Sequence, residues 1–217
     1  MSYKTIRERS LEALKIISNY IHRTPLDKST TFSRMFGGEV YLKYENLQKS
    51  GSFKARGALY KINRLYHQGV REVVAASSGN HAQGVAYAAS IYGVKATIFM
   101  PETAPIAKVE ATKGYGAEVI LRGRVFDEAY ESAASYSKER GAAFIHPFND
   151  LDIIAGQGTI ALELMEQISS FDIVLVPVGG GGLISGIASV LKESGRNVKV
   201  IGIEPEAAPK FKESLRL

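Results

Sequence analysis

The sequence predicts a doubly wound α/β protein built on parallel sheets, and three observations carry that prediction. Strand-like runs rich in β-branched residues alternate with helical patterns after residue 70, a tetraglycine run closes one of those strands, and a Ser-Ser-Gly-Asn turn follows another. Parallel strands need helical crossovers, which cover both faces of a sheet, and the turns from strand to helix are where such folds hold anions.

Residues 1–20 read as an amphipathic helix, with Arg7, Glu8, Arg9, Glu12 and Lys15 set among Ile6, Leu11, Leu14, Ile16 and Ile17. Ser50, Gly51 and Ser52 are turn and helix-start residues, and residues 53–65 read as the helix they introduce. Strands are expected at residues 72–76, 96–100, 117–121, 172–176 and 198–203, each separated from the next by a helical pattern. No repeat or low-complexity tract interrupts the series.

Composition bounds the setting. A chain of 217 residues with 45% hydrophobic and 23% charged residues can bury a substantial core. The absence of cysteine excludes disulfides and thiolate metal sites. The longest apolar runs fall short of the roughly 20 residues of a membrane span, and no secretory leader is read, so a soluble cytoplasmic protein is expected. The net charge of +5 is scattered rather than gathered into a basic stripe, so nucleic acid is not an expected partner. His22, His67, His81 and His146 lack a close ligand spacing, and no metal is expected.

Two features carry chemistry. Lys54 falls in the first turn of its helix, where a cation opposes the helix dipole; on the surface this costs stability, whereas in a pocket it favours a neutral, nucleophilic amine. The run Gly179-Gly180-Gly181-Gly182 can present backbone N–H groups to a phosphate. Together they suggest a phosphorylated aldehyde held as an imine, with pyridoxal phosphate as the cofactor. The bland alternatives are a solvated lysine and an ordinary turn. No Lys-Ser or Lys-Thr pair follows the glycines, which excludes a Walker A loop. A dinucleotide fingerprint remains open, with Ser185 in the third glycine's place and Glu204 where a ribose-binding acid would sit, but it leaves Lys54 unexplained. The turn Ser77-Ser78-Gly79-Asn80-His81 could dock a carboxylate at a helix N-terminus, or Ser78 or Asn80 could simply cap the helix.

The segment Lys43-Tyr44-Glu45-Asn46-Leu47-Gln48-Lys49-Ser50-Gly51-Ser52-Phe53-Lys54-Ala55-Arg56-Gly57-Ala58 resembles the cofactor-lysine segment of the fold-type-II pyridoxal phosphate enzymes, in particular the threonine/serine dehydratases and serine racemases. Further matches follow in order at residues 76–84, at 146–150 with 154–159, and at 177–182, and the similarity runs from about His22 to Pro205. The resemblance implies a small domain of residues 68–147 inserted into a larger one made of 1–67 and 148–217, with the site in the cleft between them.

It also implies roles. Lys54 would hold the cofactor and then remove the substrate's α-proton, and Phe53 would pack beside the pyridine ring. Asn80 would bond the ring hydroxyl, Ser77, Ser78, Gly79, Asn80 and His81 would grip the carboxylate, and Gly179, Gly180, Gly181 and Gly182 would cradle the phosphate. The implied reaction converts threonine to 2-oxobutanoate, or serine to pyruvate, with release of ammonia. Ser78 matches the position of the serine that acts as the opposite-face acid in serine racemases, so racemisation stays open. Two departures stand out. The racemases' cation site uses acids matching Glu204 and Lys210, and a lysine there repels a cation. Family catalytic domains also continue past the position of Leu217, to a residue that bonds the pyridine nitrogen. A homo-oligomer is expected, and a partner chain supplying the remaining part is the alternative to activity of this chain alone.

Overall fold

The computed structural model describes residues 4–215. In chain order the elements are α1 (Ile6–Ile17), β1 (Leu26–Lys28), α2 (Thr30–Phe36), β2 (Tyr41–Lys43), a 3₁₀ turn (Glu45–Leu47), α3 (Lys54–His67), β3 (Glu72–Ala76), α4 (Asn80–Tyr92) and β4 (Lys95–Met100). There follow α5 (Ile106–Lys113), β5 (Glu118–Leu121), α6 (Phe126–Arg140), β6 (Ala143–Phe144), α7 (Leu151–Gln167), β7 (Ile173–Pro177), α8 (Gly182–Glu193), β8 (Lys199–Ile203) and α9 (Lys210–Ser214). The α/β class and the five expected strands are present, each strand boundary within about one residue of its expected place.

The expected first helix is shorter than residues 1–20: Thr5 starts it and Ser18 ends it, and its first three expected residues lie outside the described residues. Thr5 and Glu8 form a reciprocal capping box, which satisfies two backbone donors that the helix leaves free. Ser10, Ala13 and Ile17 then bury one stripe at helical spacing, and Ser10 Oγ donates to the Ala155 carbonyl at 2.8 Å.

Three sheets form. β3 to β6 make a parallel sheet in the order β5-β4-β3-β6, β7 and β8 make a separate parallel pair, and β1 and β2 pair antiparallel. The antiparallel pair is an addition to the parallel architecture read from the sequence. In the four-stranded sheet, side chains of period two go to opposite faces. Val73, Ala75, Ala96, Ile98 and Met100 join the core under α3 and α4, while Val74, Ala76 and Phe99 join the core under α6. Both faces are covered.

The expectation of helices on both faces fails at β7–β8. Val174, Val176 and Val200 pack with α7 and α8, but the alternate residues Ile173, Leu175 and Ile203 are 53%, 64% and 51% exposed. No helix among the described residues covers that face, because α7 and α8 both sit on the other one. No helix among the described residues is long and apolar enough to cross a membrane.

α3 is the central helix, with Ala55, Arg56, Gly57, Ala58, Leu59, Tyr60, Ile62 and Asn63 buried along it. It lies against α4 and α7 at distances that leave no room for side chains at the crossings. A Cβ on Gly84 would press on the Lys54 carbonyl, and one on Gly156 would overlap Gly57. These contacts fix where the start of α3 sits.

Candidate active site

Lys54 opens α3, and its backbone N–H donates to Ser52 Oγ at 3.4 Å. Its Nζ donates to the Pro147 carbonyl at 2.6 Å and lies 5.3 Å from the centroid of the Phe53 ring. Burial disfavours its charged form and lowers its pKa to about 8. The expected helix position is found, and the amine is one that loses its proton readily.

The loop that receives Lys54 is shaped by His146. Its Nδ1 accepts the N–H groups of Phe148 and Asn149 at 3.2 and 2.8 Å, and burial holds its pKa below the ordinary histidine value. Next to the carbonyl that binds Lys54, the Phe148 ring fills the space over Gly180, and its backbone and Cβ lie against Gly182. Lys54 and the glycine turn are thus joined through two consecutive residues, Pro147 and Phe148.

The turn itself follows β7, with Gly181 at φ +86°, a left-handed conformation in which a side chain would be strained. The N–H groups of Gly179, Gly180 and Gly181 find no acceptor among the described residues, and α8 begins at Gly182 with its first-turn donors free. The Phe211 ring lies against Gly181. It is held there because Glu204 accepts the backbone N–H groups of Phe211 and Lys212 at 2.7 and 2.9 Å. Glu204 is therefore engaged by α9 and is not free for the ribose contact that the dinucleotide reading needs.

The Ser77–His81 turn joins β3 to α4. Ser77 Oγ accepts the Gly79 N–H at 3.2 Å, and Gly79 occupies the position before α4 with no side-chain cap. Neither Ser78 nor Asn80 caps the helix, so the simple capping alternative does not hold. Ser78 has a half-buried side chain with no hydrogen bond among the described residues. Asn80 Oδ1 accepts from Lys108 Nζ at 3.4 Å. The His81 ring turns inward, its Nε2 donating to the Ile145 carbonyl at 3.0 Å; burial, reinforced by the Lys54 charge, lowers its pKa to about 3. It is a neutral ring that ties α4 to the end of β6.

Sequence reasoning missed the Pro147 carbonyl, the two phenylalanines over the glycines, and a buried ion network behind Lys54. In that network Arg56 meets Glu45 and Glu163. An arginine two residues after Lys54, on a helix buried nearly all round, was the available signal for the network.

A half-buried helix-start amine of lowered pKa joined to a strand–glycine–helix cradle defines an enzyme class that holds a phosphorylated aldehyde. The chain belongs to the pyridoxal-phosphate dependent enzyme family, whose family model matches residues 17–216. It is 54% identical to an L-threonine ammonia-lyase of Thermotoga maritima over 206 residues, which is 94% of this chain and 51% of the relative. Among solved structures it is similar to maize serine racemase, with a TM-score of 0.93 and 39% identity over 98% of this chain and 65% of that one. The processed form of threonine deaminase isoform 2 from Solanum lycopersicum gives a TM-score of 0.92 and 38% identity over 97% of this chain and 59% of that one. The chain thus spans about half the length of the curated relative and less than two thirds of those two structures. The resemblance and fold class read from the sequence hold.

The family's cofactor is pyridoxal phosphate. The residues present fit it: Lys54 supplies an amine with a lowered pKa, and the unpaired N–H groups of the glycine turn suit a phosphate.

Proposed function

We propose that this chain carries the cofactor-binding and proton-transfer machinery of an ammonia-lyase acting on L-threonine or L-serine. The observation that carries the reading is Lys54, a half-buried amine of pKa about 8 joined through Pro147 and Phe148 to the glycine turn. Identity of 54% to an ammonia-lyase supports the substrate class.

When bound, the cofactor supplies the electron sink for the substrate's α-carbon. Lys54 Nζ would hold the cofactor and, as a free amine, would take the substrate's α-proton. Gly179, Gly180, Gly181 and Gly182 hold the phosphate through backbone donors. Ser77, Ser78, Gly79, Asn80 and the backbone of His81 would hold the substrate carboxylate at the start of α4, Asn80 would also bond the ring hydroxyl, and Phe53 would flank the ring. The neutral His81 ring stiffens this turn from behind. Loss of the α-proton and the protonated β-hydroxyl as water, followed by uptake of one water in hydrolysis of the resulting enamine, would give 2-oxobutanoate and ammonia from threonine.

The test is the near-visible spectrum of the chain mixed with pyridoxal phosphate against a Lys54→Ala control, followed by a 2-oxo acid assay with threonine and serine. A Lys54-dependent band with product formation is expected. A band that survives Lys54→Ala would remove the assignment.

Two observations favour further readings. The unpartnered Ser78 hydroxyl suits an acid for reprotonation, which is the racemase reading; Ser78→Ala should then lower racemisation far more than it lowers elimination. The bare apolar face of β7–β8 favours a chain that works with additional polypeptide covering Ile173, Leu175 and Ile203. Mixing this chain with the unmatched part of the Thermotoga maritima relative should then raise turnover. Full turnover by this chain alone would remove that reading.

A further inference from the structure

α3 and α7 run antiparallel and are tied at three levels. In the middle, Gly57 lies against Gly156. At the far end, Lys61 pairs with Asp150 at 2.7 Å and Arg64 pairs with Asp152. At the near end, two residues from Lys54, stands Arg56, whose side chain has no exposed surface.

All five N–H donors of Arg56 are used. Nε and Nη2 donate to the two oxygens of Glu45 at 2.9 and 2.8 Å, and Nη1 and Nη2 donate to the two oxygens of Glu163 at 2.6 and 3.0 Å. Nη1 also donates to Thr159 Oγ1 at 3.2 Å. Lys43 completes the cluster, with Nζ donating to Glu163 at 2.5 Å and to Gln167 and the Thr24 carbonyl at 2.8 Å each. Thr24 Oγ1 donates to Glu45 at 2.6 Å. Two cations therefore face two carboxylates. Burial opposes the Arg56 charge, but its bonds to Glu45 and Glu163 outweigh burial and hold its pKa above the ordinary value.

Such a network gains little stability over a well-packed apolar cluster, whereas its paired forks accept a single geometry. What that geometry fixes is visible along the chain. Arg56 belongs to the turn that carries Lys54, and Glu163 belongs to α7. α7 in turn packs on α8 where Gly158 meets Gly186, and α8 begins at the glycine turn. Of the three ties between α3 and α7, Arg56 is the charged one nearest Lys54, and it links the helix that carries the amine to the helix pair that carries the phosphate cradle.

We propose that Arg56 is a positioning residue that sets the separation of Lys54 Nζ from the glycine turn, so that one ligand engages both anchors at once. Arg56 contacts neither anchor. The inference rests on the cofactor reading above, and it predicts a difference between ligands that use two anchors and ligands that use one. Pyridoxal phosphate needs both, inorganic phosphate needs only the glycine turn, and pyridoxal without its phosphate needs only Lys54.

The experiment measures binding of these three probes to the wild-type chain, Arg56→Lys and Glu45→Gln, alongside the melting temperature of each protein. The expected result is pyridoxal phosphate binding weakened about tenfold or more in the variants, with inorganic phosphate and pyridoxal changed less than about twofold, because a misplaced anchor forfeits the linkage and not the individual contact. Parallel weakening of all three probes would mean that the network only stabilises the fold and would overturn the proposal, as would unchanged pyridoxal phosphate binding. Should Arg56→Lys fail to fold, Glu45→Gln decides, since it keeps an acceptor oxygen beside Arg56. A wild-type chain with no Lys54-dependent band would bring down the cofactor reading first, before any variant is compared.

Discussion

The four-stranded sheet and the β7–β8 pair are both parallel and both apolar along alternating positions, yet among the described residues only the first is covered on both faces. β3 and β4 send Val73 and Ile98 under α3 and α4 and send Val74 and Phe99 under α6. β7 and β8 send Val176 and Val200 under α7 and α8, and the opposite positions Ile173, Leu175 and Ile203 face outward. Strand pattern sets which side chains share a face, and the cover on that face is a separate fact about the rest of the molecule. The candidate site spans both regions, since the Ser77–His81 turn grows from the covered sheet and the glycine turn from the bare one.

The largest test of this contrast is Ile98→Ala. Ile98 is fully buried between helices, so the substitution should lower unfolding free energy by roughly 2–5 kcal/mol, read from urea denaturation. A loss as small as that expected on the bare face would break the comparison. His81 gives the next effect. Its folded pKa of about 3 lies below its ordinary 6.5, so the unfolded chain binds the extra proton between these values. The His81 contribution should be complete above pH 6.5 and lost as pH falls toward 3, and His81→Gln should flatten that part of the stability–pH curve.

Lys54 sharpens the comparison at the junction of the two regions. Its folded pKa of about 8 lies below 10.5, so stability should rise with pH between about 8 and 10.5, and the rise should be missing in Lys54→Ala. The rate of reaction with an aldehyde reagent should climb through the same lower midpoint, near pH 8. The smallest effect is expected at Leu175→Lys, within about 0.5 kcal/mol of wild type because the side chain already faces outward. Binding of a hydrophobic dye should fall in the same variant. A marked destabilisation would mean that this face is covered in solution.

Local signals were legible. The β-branched runs placed five strands, and the turn residues Ser50, Gly51 and Ser52 placed Lys54 at a helix start, because each depends on neighbours in sequence. β1 and β2, three residues each, and β6, two residues, gave no comparable pattern; their pairing is a tertiary event. The site divided the same way. Lys54 and the glycines stood out by type and position. The Pro147 carbonyl has no sequence signature, and Phe148 and Phe211 read as ordinary apolar residues until the chain brings them onto Gly180 and Gly181.

By itself, then, the sequence determined the α/β class, the places of five of the six described parallel strands, the family and its cofactor, because periodicity, turn chemistry and an ordered set of motifs are written within short spans. Only the tertiary structure decided that Lys54 is buried enough for its pKa to fall to about 8, and that Pro147 and Phe148 join it to the glycine turn. It alone also placed Glu45 and Glu163, far apart in the chain, around one guanidinium, and left one face of β7–β8 bare. Burial, close approach and charge pairing are sums over atoms distant in sequence, and they acquire values only when the chain has folded.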